Sequence, residues 1–326
     1  MRVLERLEEL YAIGDSRLGY SPAEDAAHEL ARGWLEDAGL EVRVDQAGNM
    51  FGGTDPVWTG SHLDTVPQGG RFDGALGVVA AIEAVERAGR GTVAIFREEE
   101  RGCVGSTACA AAGPLPAAFV ELHIEQGPRL AAVDAPLGIV TAIVGYARGE
   151  VVVEGRPGHA GTTPMELRDD ALVKAARLIL DWRDEAAAID GAVLTVGQIE
   201  AEPGGINVIP GRVRFSMDVR APDRERLDRL VALTGIDGSR AVPPTEMSPA
   251  IRAALRAEIE ARGLPVVELA SGAGHDAGVL ARAGVPSGML FVRSLNGGVS
   301  HSPDELSSEE DIALAVDVLA GALARL

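Results

Sequence analysis

Aromatic side chains supply only 4% of this 326-residue chain, cysteine occurs twice, and lysine once, at Lys174. Cys103 and Cys109, six positions apart, fit neither a disulfide framework nor zinc-ribbon spacing, so both read as free thiols. No stretch approaches the roughly 18 consecutive apolar residues of a membrane span; even GALGVVAAIEAV is broken by Glu83. The opening MRVLERLEEL alternates charges where a secretory signal needs an uninterrupted apolar region, which points to a cytoplasmic protein. Positive charge is short too. Thirty basic residues face 49 acidic ones, and a net charge of -19 repels phosphate backbones and anionic lipid, excluding nucleic acid and membrane surfaces as partners. An anionic substrate would need a local arginine to overcome that field. No G-x-S-x-G elbow occurs, which counts against a serine hydrolase.

What is present is an ordinary apolar fraction, 46%, arranged in alternating strand and helix patterns. Leu4, Leu7 and Leu10 mark a first helix; Ser21-Pro22-Ala23-Glu24 is a capping box that opens a second, ending at Gly39. Strand-like LEVRV, NMFGG and PVWTG follow, then a buried helix from Ala75 to a Gly89 cap, and the strands TVAIF and AFVELHI. From Tyr146 the order becomes strand, helix, strand, strand pair, helix: GEVVVEG, RDDALVKAARLILDW, AVLTVGQIE, INVIPGRVRFSMDVR and RERLDRLVALTG. After that, a Ser248-Pro249 helix, the strand PVVEL, a helix at DAGVLARAG, the strand GMLFV and a helix from Ser307 restore the first pattern. The expected architecture is an α/β, mixed-sheet domain formed by residues 1–145 and 246–326, interrupted by a smaller α+β domain of residues 146–245.

Open α/β sheets place ligands beyond the carboxyl ends of their strands, and here those positions are rich in metal-ligand side chains. PVWTG runs into Ser61-His62-Leu63-Asp64, TVAIF into Arg97-Glu98-Glu99-Glu100, AFVEL into His123-Ile124-Glu125-Gln126, and GMLFV leads to Ser300-His301. Asp73 lies in the same glycine-rich segment as His62, GSHLDTVPQGGRFDG. Three imidazoles and two carboxylates, His62, Asp73, Glu100, His123 and His301, suffice for two zinc-like ions sharing one carboxylate. Asp64, two residues after His62, suits a carboxylate that fixes the imidazole tautomer. SGAGHDAG also fits a weak dinucleotide fingerprint, but Asp276 would face the pyrophosphate and no acidic residue closes the next strand. His275 and Asp276 are better placed lining the metal pocket.

The motifs GSHLDTVPQGGRFDGALGV, the acidic triplet after AIF, ELHIEQGP, GHAGTTPM, GGINVIPG, SGAGHDA and SHSPDE together resemble one family. It is the N-carbamoyl-L-amino acid hydrolase and allantoate amidohydrolase branch of the aminoacylase-type dinuclear metallohydrolases. The resemblance implies a catalytic domain with two divalent ions, zinc first with manganese, cobalt or nickel as alternatives, and an inserted lid that forms a homodimer. By it, His62 and His123 bind one ion, Glu100 and His301 the other, and Asp73 bridges. Glu99 becomes the general base, although a frame one residue earlier, Glu98 with Glu99, also matches the triplet. His159 stabilises an oxyanion, reaching the partner subunit's site, Asn207 and Arg220 hold a substrate carboxylate on adjacent strands, and Gln126 contacts the substrate. The implied reaction is hydrolysis of a carbamoyl or ureido amide; an N-acyl amino acid or dipeptide hydrolase, and a non-catalytic small-ligand binding protein, are the alternatives. Two departures stand out. Only 23 positions separate Glu100 from His123, where relatives carry an extra helical segment, and Arg101-Gly102-Cys103 replaces a Gly-x-Arg-Phe.

Overall fold

The computed structural model describes residues 2–326. Within them two compact units form, one from the chain up to Ile143 and from Glu246 onward, the other from Val144 to Thr245. In the first, nine strands form a mixed sheet. Their order is Val42–Val44, Met50–Gly52, Thr92–Phe96, Val57–His62, Ala118–Ile124, Ser287–Val292, Leu137–Ile143 and Thr245–Glu246, with Glu268–Ser271 also paired to Leu137–Ile143. The four from Thr92–Phe96 to Ser287–Val292 are mutually parallel and buried along their whole length, as parallel strands covered on both faces must be. Successive side chains go to opposite faces: Val57, Val93, Ile95, Val120 and Leu122 join one core cluster, while Trp58, Ala94, Phe96 and Phe119 join another. The buried helix Ala75–Ala88 packs in the first cluster; Cys109 of Val104–Ala112 and Leu280 of Asp276–Arg282 pack in the second.

Parallel pairing has a direct consequence for the site. His62 is level with Phe96, and His123 with Phe291, so the segments that leave these strands emerge at one end of the sheet.

Several elements were not anticipated. Strand Leu137–Ile143, LGIVTAI, is an apolar run interrupted only by Thr141, with no polar alternation, and helix Val104–Ala112 is short, rich in alanine and entered through Cys103 in a left-handed conformation (φ 55°); the short helix Arg129–Ala132 and strand Thr245–Glu246 also went unread. PVVEL contributes only its end, to Glu268–Ser271.

In the second unit, Arg212–Ala221 pairs along its length with Gly145–Glu154 and, on its other edge, with Val193–Thr195 and Ile199–Glu202. The run AVLTVGQIE is thus two strands. Residues 196–198 oppose only Ser216 and Met217, a bulge in which Gln198 and Ser216 exchange hydrogen bonds of 3.0 Å. Helices Ala171–Ala187 and Arg224–Thr234 contribute to this unit's own core with Phe215, Val213 and Leu230. No helix among the described residues is long and apolar enough to cross a membrane.

Helix Pro22–Asp37 realises half of its capping box: Ser21 Oγ accepts from the Glu24 amide, but the Ser21 amide donates to the Leu18 carbonyl and the Glu24 carboxylate turns elsewhere. Its His28 is 3% exposed and neither ring nitrogen has a hydrogen-bond partner. Burial, with Arg97 adding to it, pushes the His28 pKa down to about 3. The ring is therefore neutral in the folded chain, whereas the unfolded chain protonates it below about 6.5. The depressed folded value means that stability is full above 6.5 and lost as pH falls towards 3, at up to about 1.4 kcal/mol per unit. His28→Leu should abolish that part. In urea melts at pH 6.5 and 4.5, the wild type is expected to lose about 2–3 kcal/mol more than the variant; equal losses would refute the assignment.

Candidate metal centre

His62 closes its strand and is 1% exposed. Its Nδ1 lies 3.2 Å from Asp64 Oδ1 and 3.1 Å from the Asp64 carbonyl, so Nδ1 carries the proton and Nε2 presents a lone pair. That Nε2 faces Asp73 Oδ1 and Glu99 Oε2, each at 3.7 Å. His123 is arranged in the same way: Nδ1 donates to the Ile124 carbonyl at 3.0 Å, and Nε2 faces Asp73 Oδ1 at 3.2 Å. The other oxygen of Asp73 lies 3.5 Å from His301 Nε2, which is 3.3 Å from Glu100 Oε2. Asp73 accordingly stands between two groups, His62 with His123 and Glu100 with His301, and in each group the donor atoms lie within 4.8 Å of one another.

Lone pairs aimed at carboxylates repel unless something positive lies between them. His62 Nε2, His123 Nε2 and Glu100 Oε1 are buried without a hydrogen-bond partner, and a pair of cations satisfies all three. Proton affinities tell the same story. Burial opposes charge on His123, yet Asp73 overrides it and raises the pKa to about 9; for His62, Glu99 and Asp64 likewise override burial and hold it well above its usual value. His301 is raised to about 9, chiefly by Glu100. Burial raises Glu99 to about 7 with help from Glu100, Glu121 and Asp73, against the pull of His62. These groups compete for positive charge.

The turn that carries the acidic triplet is fixed by Asp64, whose two oxygens accept the Glu99 and Glu100 amides at 3.0 and 3.1 Å. Asp64 thus orients the His62 ring and the triplet together. Glu98 turns away to Arg101 (3.0 Å), so the carboxylate brought to His301 and Asp73 is Glu100. Glu99 Oε1 accepts from Cys103 Sγ at 3.3 Å. Close approach also constrains Gly74, at φ 63°, where a Cβ would sit 2.3 Å from the His62 ring.

Two neighbours, Glu305 and Glu121, were not picked out from sequence, whereas His275, Asp276 and Gln126 were. Glu305 accepts the Phe72 and Asp73 amides (3.1 and 3.2 Å), the Ser300 hydroxyl (2.9 Å) and the His301 amide (3.1 Å), tying two remote ligand loops together. Glu121, two residues before His123 and so on the same strand face, accepts from Ser61 Oγ (2.8 Å) and the Ala277 amide (2.9 Å). A glutamate inside the apolar run AFVELHI was the available signal. The His275 ring packs edge-on 4.6 Å from that of His123, with Nε2 2.8 Å from Ser271 Oγ, and burial drives its pKa well down. Asp276 is fully buried beside Ser106, and burial with Glu121 and Glu99 nearby raises its pKa well above the ordinary carboxylate value. Gln126 also reaches the centre, but its Nε2 donates to Asp73 Oδ2 at 2.8 Å.

The remaining expected residues lie in the second unit. His159 is exposed, and its Nδ1 accepts from the Gly161 and Thr162 amides (3.1 and 3.2 Å), which leaves the neutral ring's proton on Nε2. Asn207 sits beside it, its carbonyl accepting from the Ala160 amide at 3.0 Å. The expectation that Asn207 and Arg220 occupy adjacent strands fails. Asn207 precedes Val208–Ile209, which pairs with Gly158–His159; Pro210 has no amide to continue that ladder, and a new strand begins at Arg212 in the other sheet. Arg220 forks onto Asp218, Nε to Oδ1 at 2.9 Å and Nη2 to Oδ2 at 3.3 Å.

Comparison with known proteins decides the family. A model of Peptidase family M20/M25/M40 matches residues 58–325. The chain belongs to that family. Among curated members it is 36% identical to the N-carbamoyl-L-amino acid amidohydrolase of Geobacillus stearothermophilus, covering 98% of this chain and 96% of that one. It is 35% identical to the allantoate amidohydrolase of Bacillus subtilis (strain 168), covering 96% and 93%. Among solved structures, an amidase of the hydantoinase/carbamoylase family from Burkholderia multivorans superposes with a TM-score of 0.87 at 30% identity, covering 99% and 97%. This M20 member is therefore an amidohydrolase of the carbamoylase and allantoate amidohydrolase type, in a family that depends on a dinuclear metal centre. The first match extends over 395 aligned positions, more than the 326 residues here, so this chain lacks segments that its relative carries.

Proposed function

We propose that this M20 protein hydrolyses the carbamoyl or ureido amide of a small carboxylate-bearing substrate, an N-carbamoyl-L-amino acid or an allantoate-like compound, releasing ammonia and carbon dioxide. The observation that carries the reading is Asp73 between two histidine-containing ligand groups, with Glu99 beside it. His62, Asp73 and His123 would hold one divalent ion and Asp73, Glu100 and His301 the second; zinc suits this donor set, and manganese, cobalt or nickel also accept it. Such ions acidify water and polarise a carbonyl oxygen. Glu99 accepts the proton of the attacking water and delivers it to the departing nitrogen. His159, donating through Nε2, stabilises the oxyanion, while Asn207 and Arg220 hold the substrate carboxylate, Arg220 exchanging Asp218 for it. Gln126, freed from Asp73, and His275 complete the substrate contacts. In this reading the second unit is a lid and a dimer interface.

An assay of N-carbamoyl, N-acetyl and allantoate substrates side by side, with elemental analysis of the same sample, tests the proposal. Turnover confined to acyl substrates would overturn it. The dimer has separate support: Leu172, Val173 and Leu180 on helix Ala171–Ala187 and Val193 and Ile199 on the outer strands are exposed. At micromolar concentration, sedimentation should give a dimer, and Leu180→Glu should shift it towards monomer; a wild-type monomer refutes the interface.

A further inference from the structure

Two fully buried charges, Arg17 between the first two helices and Glu24 in the first turn of the second, touch the loops that carry the metal centre. Arg17, 0% exposed, donates through Nε to the Leu63 carbonyl at 3.0 Å and through Nη1 to that of Gly14 at 2.8 Å. Its backbone and Thr65 bond reciprocally, Arg17 N to Thr65 Oγ1 and Thr65 N to Arg17 O, both at 2.9 Å. The Gly69 amide reaches the Asp15 carbonyl at 2.7 Å, and the Gln68 amide reaches Ser16 Oγ at 2.9 Å. The loop that follows His62 is thus laced to residues 15–17.

Seven positions on, Glu24 is also 0% exposed. One oxygen accepts the Glu98 amide at 3.0 Å; the other accepts the Tyr20 amide at 2.5 Å and Arg97 Nε at 2.7 Å. A carboxylate whose only task was to close a capping box would lie in solvent at the helix start. Here it enters the turn that delivers the acidic pair. Across that turn four successive amides are taken by side chains: Arg97 by Asn49 Oδ1 (3.0 Å), Glu98 by Glu24, and Glu99 and Glu100 by Asp64. Glu98 adopts φ 50°, a left-handed conformation that a non-glycine residue keeps only when its surroundings hold it there. The helix after the turn holds the Glu98 carbonyl, the Val104 amide donating to it at 3.1 Å, and Glu24 holds the Glu98 amide. Arg17 and Glu24 both precede residue 58, where the family match begins.

We propose that Arg17 and Glu24 are positioning residues of the metal centre: the segment from Gly14 to Asp25 holds the His62 loop and the Glu98–Glu100 turn in one frame. It sets where Glu100 meets His301 and where Glu99 meets His62. The inference rests on the roles given above to Glu99 and Glu100, so its test includes a measurement that needs no substrate.

Glu24→Gln keeps the shape but turns an amide donor towards the Glu98 amide, since its oxygen is favoured where Tyr20 and Arg97 both donate; Glu24→Gln with Arg97→Gln also removes the guanidinium, which the single variant leaves paired with Asp25. Cobalt(II) binding is measured by competition with a chromophoric chelator, together with the visible spectrum of the cobalt protein and kcat and KM on the best substrate. The expected results are a 10- to 100-fold loss of cobalt affinity, an altered visible band, and a 10- to 100-fold fall in kcat with KM within about twofold. The double variant should fold and remain impaired, and Glu24→Asp should recover part of the loss. Arg17→Lys, which keeps charge but not the paired bonds to the Leu63 and Gly14 carbonyls, should weaken cobalt binding in the same direction. Wild-type affinity and spectrum in a folded Glu24→Gln protein, or full recovery in the double variant, overturns the proposal. If no carbamoyl or ureido compound is turned over, the functional reading fails while the cobalt measurements still decide this one.

Discussion

Glu99→Gln is expected to lower kcat by about 10²- to 10⁴-fold, the contribution usually made by a positioned general base, while leaving two ions per chain and KM little changed. The residue's surroundings make the substitution selective. The backbone of Glu99 is held by Asp64, which also holds Glu100 and the His62 ring, so the ligands do not depend on the Glu99 side chain for their positions. A glutamine can still accept from the Cys103 thiol, now at 3.3 Å from the carboxylate, and it fills the same volume. What it cannot do is take a proton. Burial raises the Glu99 pKa from the ordinary carboxylate value to about 7 in the metal-free chain, against the pull of His62. Stability should not fall, because a buried carboxylate surrounded by Glu100, Glu121 and Asp73 is replaced by a neutral group. Steady-state kinetics, elemental analysis and a thermal melt on one preparation check the three statements; unchanged turnover removes Glu99 from the mechanism, and loss of metal makes it a ligand.

The parts of this molecule that could be read from sequence are those in which a local pattern and a tertiary requirement coincide. A buried parallel strand is a short apolar run, and polar residues at or after its carboxyl end break that run, which is why His62, Glu100 and His123 stood out at three strand ends. The α/β class follows from the same alternation. Sequence gave no access to residues whose role is a long-range hydrogen bond. Glu305 lies more than 230 positions from the amides of Phe72 and Asp73 that it holds, and Glu24 more than 70 from that of Glu98. Nothing in the local pattern of SHSPDE or SPAED distinguishes them from surface acids. Glu121 was hidden differently, as a polar residue inside a run read only for its apolar period. The separation of Asn207 from Arg220 turned on Pro210: the spacing suggested a hairpin, but a missing amide ends one two-residue ladder and starts another sheet.

Asp73→Asn is expected to abolish turnover and reduce the protein from two bound ions to at most one. Asp73 is the one side chain common to both ligand groups, offering Oδ1 to the side of His62 and His123 and Oδ2 to that of Glu100 and His301. An amide retains one oxygen lone-pair donor and turns an NH₂ towards the other group, where it repels a cation instead of binding it. Which side survives is also determined by the structure. Gln126 Nε2 and Ser300 Oγ both donate towards Oδ2, at 2.8 and 3.2 Å, so the asparagine oxygen is favoured at that position and its NH₂ is directed towards His62 and His123. The ion held with Glu100 and His301 should therefore persist, and the one between His62 and His123 should be lost. Those two imidazoles, buried and with Nε2 otherwise unpartnered, then face a donor instead of a carboxylate. Cobalt(II) titration should show one equivalent taken up where the wild type takes two, and the His123 resonance should titrate near or below the usual histidine value, since Asp73, the acceptor that raised it, is gone while burial remains. Two tightly bound equivalents in Asp73→Asn would mean that the carboxylate does not bridge, and the assignment of five side chains to a pair of ions would have to be abandoned.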